Sequence, residues 1–142
     1  MAGRLGTPGG AVRAVALAAA LALAGCGLAV QSPDLFGLTR TGGGKRLVMV
    51  VNDGGTVRCN GRPPTPLPDR LLIVARSLTG QLDADARTKL DPPSPPRSFY
   101  RFQVSLEKGG FSFPDTSAVH RPELAKLEQF VLQAEPYCGA RG

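Results

Sequence analysis

The stretch RLVMVVNDGGTVRCN, Arg46–Asn60, decides the fold. Leu47, Val48, Met49, Val50 and Val51 form an unbroken β-prone run, which reads as a central strand covered on at least one face. Asp53, Gly54 and Gly55 then give a hairpin signal. Thr56–Asn60 follows as a partner strand, with Val57 and Cys59 on one face and Thr56 and Arg58 on the other. Upstream, Leu35–Thr41 alternates so that Phe36 and Leu38 share a face, and Gly42, Gly43 and Gly44 permit a tight reversal. Three antiparallel strands are therefore expected in succession.

Downstream the period changes. Gly61–Pro66 reads as a proline-rich connection. Leu71, Leu72, Val74, Ala75, Leu78 and Leu82 then recur at helical spacing. The helix is expected from Pro68 to about Leu82, with Pro68 and Asp69 suited to its first turn and Gly80 weakening its last, and Asp83–Leu90 can add another turn. Asp91–Pro96 contains four prolines and excludes both helix and central strand. In Ser98–Leu106 the set Tyr100, Phe102, Val104 and Leu106 alternates with polar positions and is expected to face the core. Gly109 and Gly110 are expected to turn the chain into Phe111–Phe113, which Pro114 ends. Pro122 opens a second helix with an apolar stripe of Leu124, Leu127, Phe130, Val131 and Ala134, ended by Pro136. The order β-β-β-α-β-β-α gives an α+β class. The expected architecture is an antiparallel sheet of four to five strands with two helices packed on one face.

The chain has 142 residues, which is one domain's worth and excludes a multidomain enzyme or a barrel of eight βα units. Its 17 basic and 11 acidic residues leave a formal charge of +6. The basic residues are scattered rather than clustered, so no nucleic-acid partner is expected.

The first 25 residues read as an address. Residues 1–13 contain Arg4 and Arg13 and no acid. Ala14–Ala24 contains only Ala, Val and Leu and has the length of a signal-peptide core, too short to span a bilayer. The run ends in Leu23, Ala24, Gly25 and Cys26. Leucine three places before a cysteine, with two small residues between, resembles the lipobox of bacterial lipoproteins. That resemblance implies recognition of Leu23, Ala24 and Gly25 by a signal peptidase and cleavage before Cys26. A diacylglyceryl thioether and an acylated amino terminus would then form on Cys26. Ala22, Leu23 and Ala24 also satisfy the cleavage rule of a plain secretory signal, which would release a chain starting at Gly25. Cysteine parity favours lipidation, since soluble release leaves three cysteines and lipidation consumes one. The expected organisation is a removed signal peptide over 1–25, a lipidated tether over 26–34 and a single α+β domain over 35–142. The expected location is the extracytoplasmic face of a cell membrane, held by the lipid anchor.

Cys59 and Cys138 remain, outside the cytoplasm, where disulfides persist. Each lies near the end of an expected element, and a structural disulfide between them is expected. His120 is the only histidine, and its spacing from the cysteines fits no zinc pattern, so no metal and no cofactor are expected. No serine flanked as in a nucleophile elbow occurs, and Gly42–Lys45 has no helix behind it to form a phosphate loop. His120 reads as an exposed loop residue, Asp83 and Asp85 as a solvated helix end, and Asp115, Thr116 and Ser117 as binders of turn backbone. No catalytic residue is assigned, and the chain is read as non-enzymatic.

Several short motifs, in order, resemble the emfourin family of small α+β inhibitors of thermolysin-type metallopeptidases. They are Leu38–Gly43; Leu71, Leu72, Ala75 and Leu78; Tyr100, Phe102 and Val104; and Phe113 and Asp115 ahead of Pro122, Glu123, Leu124 and Leu127. The strand around Val57, the cysteine pair and the lipid anchor depart from that family. The resemblance implies a peptidase-inhibitor-like module and transfers no inhibitory residue. The functional expectation is a membrane-anchored accessory or binding domain whose protein partner is a peptidase or an envelope component. A structural or assembly role in an envelope complex is the alternative.

Overall fold

A computed structural model describes residues 33–139 together with Gly3, Gly6, Gly9, Leu28 and Val30. Residues 1–25 and Cys26, on which the address depends, lie outside the described residues apart from those three glycines. Strands β1 (Asp34–Gly42), β2 (Lys45–Asn52) and β3 (Thr56–Cys59) form the meander that alternation and turn residues require. Gly42 pairs with Lys45, so Gly43 and Gly44 alone make the first turn. Their φ values of +58° and +71° suit a two-residue hairpin whose twist matches its strands.

The sheet has six strands rather than four to five, in the order β4-β3-β2-β1-β5-β6, and every pairing is antiparallel. The unexpected strand is β4 (Thr65–Pro66), within the stretch read as a proline-rich connection. Pro66 lies opposite Thr56 at the sheet edge, where a missing N–H costs no ladder bond. The other late strands are β5 (Arg101–Leu106) and β6 (Gly109–Pro114). Their turn is Glu107–Lys108, because Leu106 pairs with Gly109, and the two glycines therefore belong to β6 rather than to the turn. The outer edge of β6 is partly occupied, since the Ser112 amide donates to the Leu90 carbonyl at 2.8 Å.

Helix α1 (Asp69–Arg87) is one continuous element, longer than its apolar stripe suggests. Gly80 does not end it. Pro68 is the residue before the helix rather than part of its first turn, and its carbonyl accepts from the Leu71 and Leu72 amides. Helix α2 (Pro122–Ala134) starts at proline as expected, and its chain continues into a 3-10 turn at Glu135–Tyr137. The two helices cover one face of the sheet. Leu71, Ala75, Leu78 and Leu82 of α1 and Leu124, Leu127, Phe130 and Val131 of α2 are buried against Phe36, Leu38, Met49, Val51, Val57, Phe102, Val104 and Phe113. Phe36 and Phe130 meet edge to face at 5.6 Å, and Phe102 stacks on Phe113 at 4.9 Å.

Alternation sends the other strand positions to the opposite face, which no helix among the described residues covers. Gly37, Thr39, Val48, Val50, Arg46, Arg58, Arg101 and Gln103 lie there. Thr39 and Val50 are nevertheless only 8% and 5% exposed. Leu28 and Val30, within the stretch read as a tether, approach this face at Gly37. A Cβ built on Gly37 would run into the Leu28 side chain and come within 3.2 Å of Val30 Cγ2. The absence of a side chain at Gly37 is what seats these two residues.

Candidate functional site

Cys59, at the end of β3, is bonded to Cys138, and their Cα atoms are 5.2 Å apart. The Arg62 Nη1 donates to the Gly139 carbonyl at 2.8 Å beside it. The cysteine pair is thus a brace joining a strand near the sheet edge to the end of the helix layer. Leu23, Ala24, Gly25 and Cys26 lie outside the described residues.

The helix layer contains an opening with an apolar floor. A groove of about 420 Å³ runs between α1 and α2. Val74, Ser77 and Gln81 line it from α1, and Lys126, Gln129 and Gln133 from α2. Leu78 and Phe130 make its floor and are buried in the core. Lys126 Nζ donates to Gln81 Oε1 at 3.3 Å across the opening. Ile73 stands on the rim and is 65% exposed, and Val74 is 39% exposed. Helical spacing places Val74 in the apolar stripe of α1, yet it is not buried. The five fully buried positions of α1 that share its apolar face are Leu71, Ala75, Leu78, Leu82 and Ala86, which leaves Val74 at the margin facing the neighbouring helix. An amide-rich rim over an apolar floor suits a peptide or side-chain ligand rather than a charged small molecule.

A second opening, about 360 Å³, lies below the start of β1 and gathers Asp34, Asp53, Asp83 and Glu107. Three of these acids are already held. Asn52 Nδ2 donates to Asp34 at 3.0 Å, Arg76 Nε donates to Asp53 at 2.6 Å, and Arg87 pairs with Asp83. Among the described residues no three His, Cys, Asp or Glu side chains cluster as metal ligands do.

Two carboxyl groups are structural. Asp115 accepts from the Ser98 hydroxyl at 2.8 Å and from the Phe99 and Tyr100 amides at 3.1 and 3.0 Å. Burial works to raise its pKa, but bonds from the Tyr100 amide, Ser98, and the Phe99 and Thr116 amides hold it below the ordinary value. Its reading as a binder of turn backbone is thereby met. Asp85, read as solvated, is instead 4% exposed and receives Arg121 Nη1 at 2.6 Å. Burial, and then the charge of Glu123, raise its pKa against the pull of Arg121. Burial and the neighbouring charge of Asp115 push Glu128 up to about 7, and Glu128 Oε1 has no hydrogen-bond partner among the described residues. His120 is exposed beyond the 3-10 turn Asp115–Val119. No helix among the described residues is long and apolar enough to cross a membrane.

No family model matches the chain, and comparisons with curated proteins and with solved structures likewise find no match.

Proposed function

We propose that this protein is a lipid-anchored, non-enzymatic binding module that presents the α1–α2 groove to a protein partner outside a bacterial membrane. The groove supports the reading most directly. Ile73 and Val74 are exposed beside an apolar floor made by Leu78 and Phe130. The lipobox-like run ending at Cys26 supports the address. The module requires no cofactor.

The test places a photoreactive residue at Ser77 in the groove of the full-length protein in intact cells. One discrete protein adduct is expected, and Val74→Asp should abolish it. Failure to label any protein from Ser77 would sink the reading. A peptidase-inhibitor version predicts that purified protein at micromolar concentration slows peptide cleavage by a thermolysin-type enzyme. Unchanged cleavage removes that version. An adduct with a cell-envelope assembly component would instead favour the structural role.

A further inference from the structure

We propose that the open face of the sheet is the surface this protein lays on anionic phospholipid headgroups, with Arg46 and Arg58 as the headgroup contacts. The proposal rests on lipidation of Cys26 and adds the orientation of the domain. Leu28 and Val30 sit over Gly37 on this face. Cys26 precedes Leu28 by two residues, a span of at most about 7 Å of chain. Acyl chains attached at Cys26 therefore begin close beside the open face, and that face must lie near the membrane surface. The helix layer, with its groove, then points away.

Charge agrees with this placement. The strand positions on the open face include Arg46, Arg58 and Arg101, and their one carboxylate, Asp34 at the start of β1, accepts from Asn52 opposite it. Arg101 is neutralised by Asp91 and also donates to the Pro92 carbonyl and Ser94 Oγ. Arg46 and Arg58 are exposed, and no carboxylate pairs with either among the described residues. A cationic surface held at a leaflet gains attraction from anionic lipid, and the gain decays within a Debye length, so it requires the close approach that the short tether imposes. Of the acids lining the second opening, Asp34, Asp53 and Asp83 are each held by Asn52, Arg76 or Arg87 and so are not left to repel an anionic surface.

The test uses the mature, lipidated protein in vesicles of equal parts phosphatidylglycerol and phosphatidylcholine. A photoreactive residue replaces either Thr41 or Gln103, exposed on the open face, or Ile73 or Leu132, exposed on the helix layer. Lipid adducts are expected to favour the open-face positions by at least about fivefold, the factor one surface arginine supplies. Arg46→Glu combined with Arg58→Glu should reduce that asymmetry severalfold, leaving the part the short tether imposes, without touching the core or the disulfide. Equal labelling of both faces in lipidated wild-type protein, or labelling chiefly from Ile73 and Leu132, overturns the orientation. Persistence of the full asymmetry in the double variant overturns the role of the arginines. Intact mass is read on the same sample, so a chain lacking diacylglyceryl on Cys26 marks failure of the anchoring reading itself.

Discussion

Cys59 and Cys138, 79 positions apart in sequence, are covalently joined where β3 ends and the last helical turn runs out. The bond closes a loop containing most of the folded chain, including both helices. Such a constraint acts chiefly by shrinking the unfolded ensemble, and the loop-entropy relation gives on the order of 4 kcal/mol for this length. Replacing both cysteines by alanine is expected to lower the free energy of unfolding by about 2–4 kcal/mol. Urea titration by far-UV circular dichroism checks it, and a change under 1 kcal/mol on the order of measurement error would reject it.

Asp115 ties the chain ahead of β5 to the end of β6 through three hydrogen bonds to its carboxylate. Asp115→Ala leaves the Phe99 and Tyr100 amides without that acceptor and should cost about 2–3 kcal/mol. The pH dependence has a fixed sign. A pKa depressed by folding contributes stability above the ordinary carboxylate value, and this is lost as pH falls through the lower folded value. The alanine variant should therefore show a shallower acid limb in a pH series of melting temperatures.

Glu128 has the opposite sign. Its pKa rises from 4.5 to about 7 on folding, so the folded state holds a proton that the unfolded chain releases. Stability consequently falls as pH rises between those values. Partial solvation of the group tempers the effect, and Glu128→Gln should stabilise the protein by about 1–2 kcal/mol at pH 8 while changing little near pH 4. Asp115→Asn removes the nearby charge and should lower the Glu128 pKa, which carboxyl-carbon NMR reads directly. A Glu128 titration unaffected by Asp115→Asn would refute the coupling.

Gly37 is the seat of Leu28. Gly37→Ala introduces a Cβ into the space of the Leu28 side chain, whereas the strand backbone itself can accept alanine, since Gly37 is not among the residues with positive φ. The expected result is displacement of the segment ahead of Pro33, with the sheet intact. Limited proteolysis should cut between Gly27 and Pro33 several times faster in the variant, at nearly unchanged melting temperature. Equal cleavage rates would show that the seat does not hold the segment.

The central strands were readable because burial on one face imprints a period of two. Tyr100, Phe102, Val104 and Leu106 display it, and the last three are buried. Strand β4 was hidden because two residues contain no period and one of them is a proline. Gly80 does not interrupt α1, since its Cβ position meets nothing within 4 Å and it costs the helix only its intrinsic propensity, and the further turn that Asp83–Leu90 can add is taken up as far as Arg87. Asp85 misled because its partner Arg121 lies 36 residues further along the chain. At the groove, stripe counting puts Val74 inward, and only the placement of α2 reveals it as a wall. Leu28 and Val30 gave no signal, since two apolar residues separated by one other do not distinguish a seated strap from a linker.

Both borders of the sheet are blunted against strand addition. On one side β4 offers only Thr65 and a proline that cannot donate, and on the other the Leu90 carbonyl occupies the Ser112 amide. For a protein anchored as proposed, this matters because tethered copies diffuse in two dimensions and collide far more often than in free solution. Blunted borders make it harder for the sheets of densely displayed copies to zip into fibres.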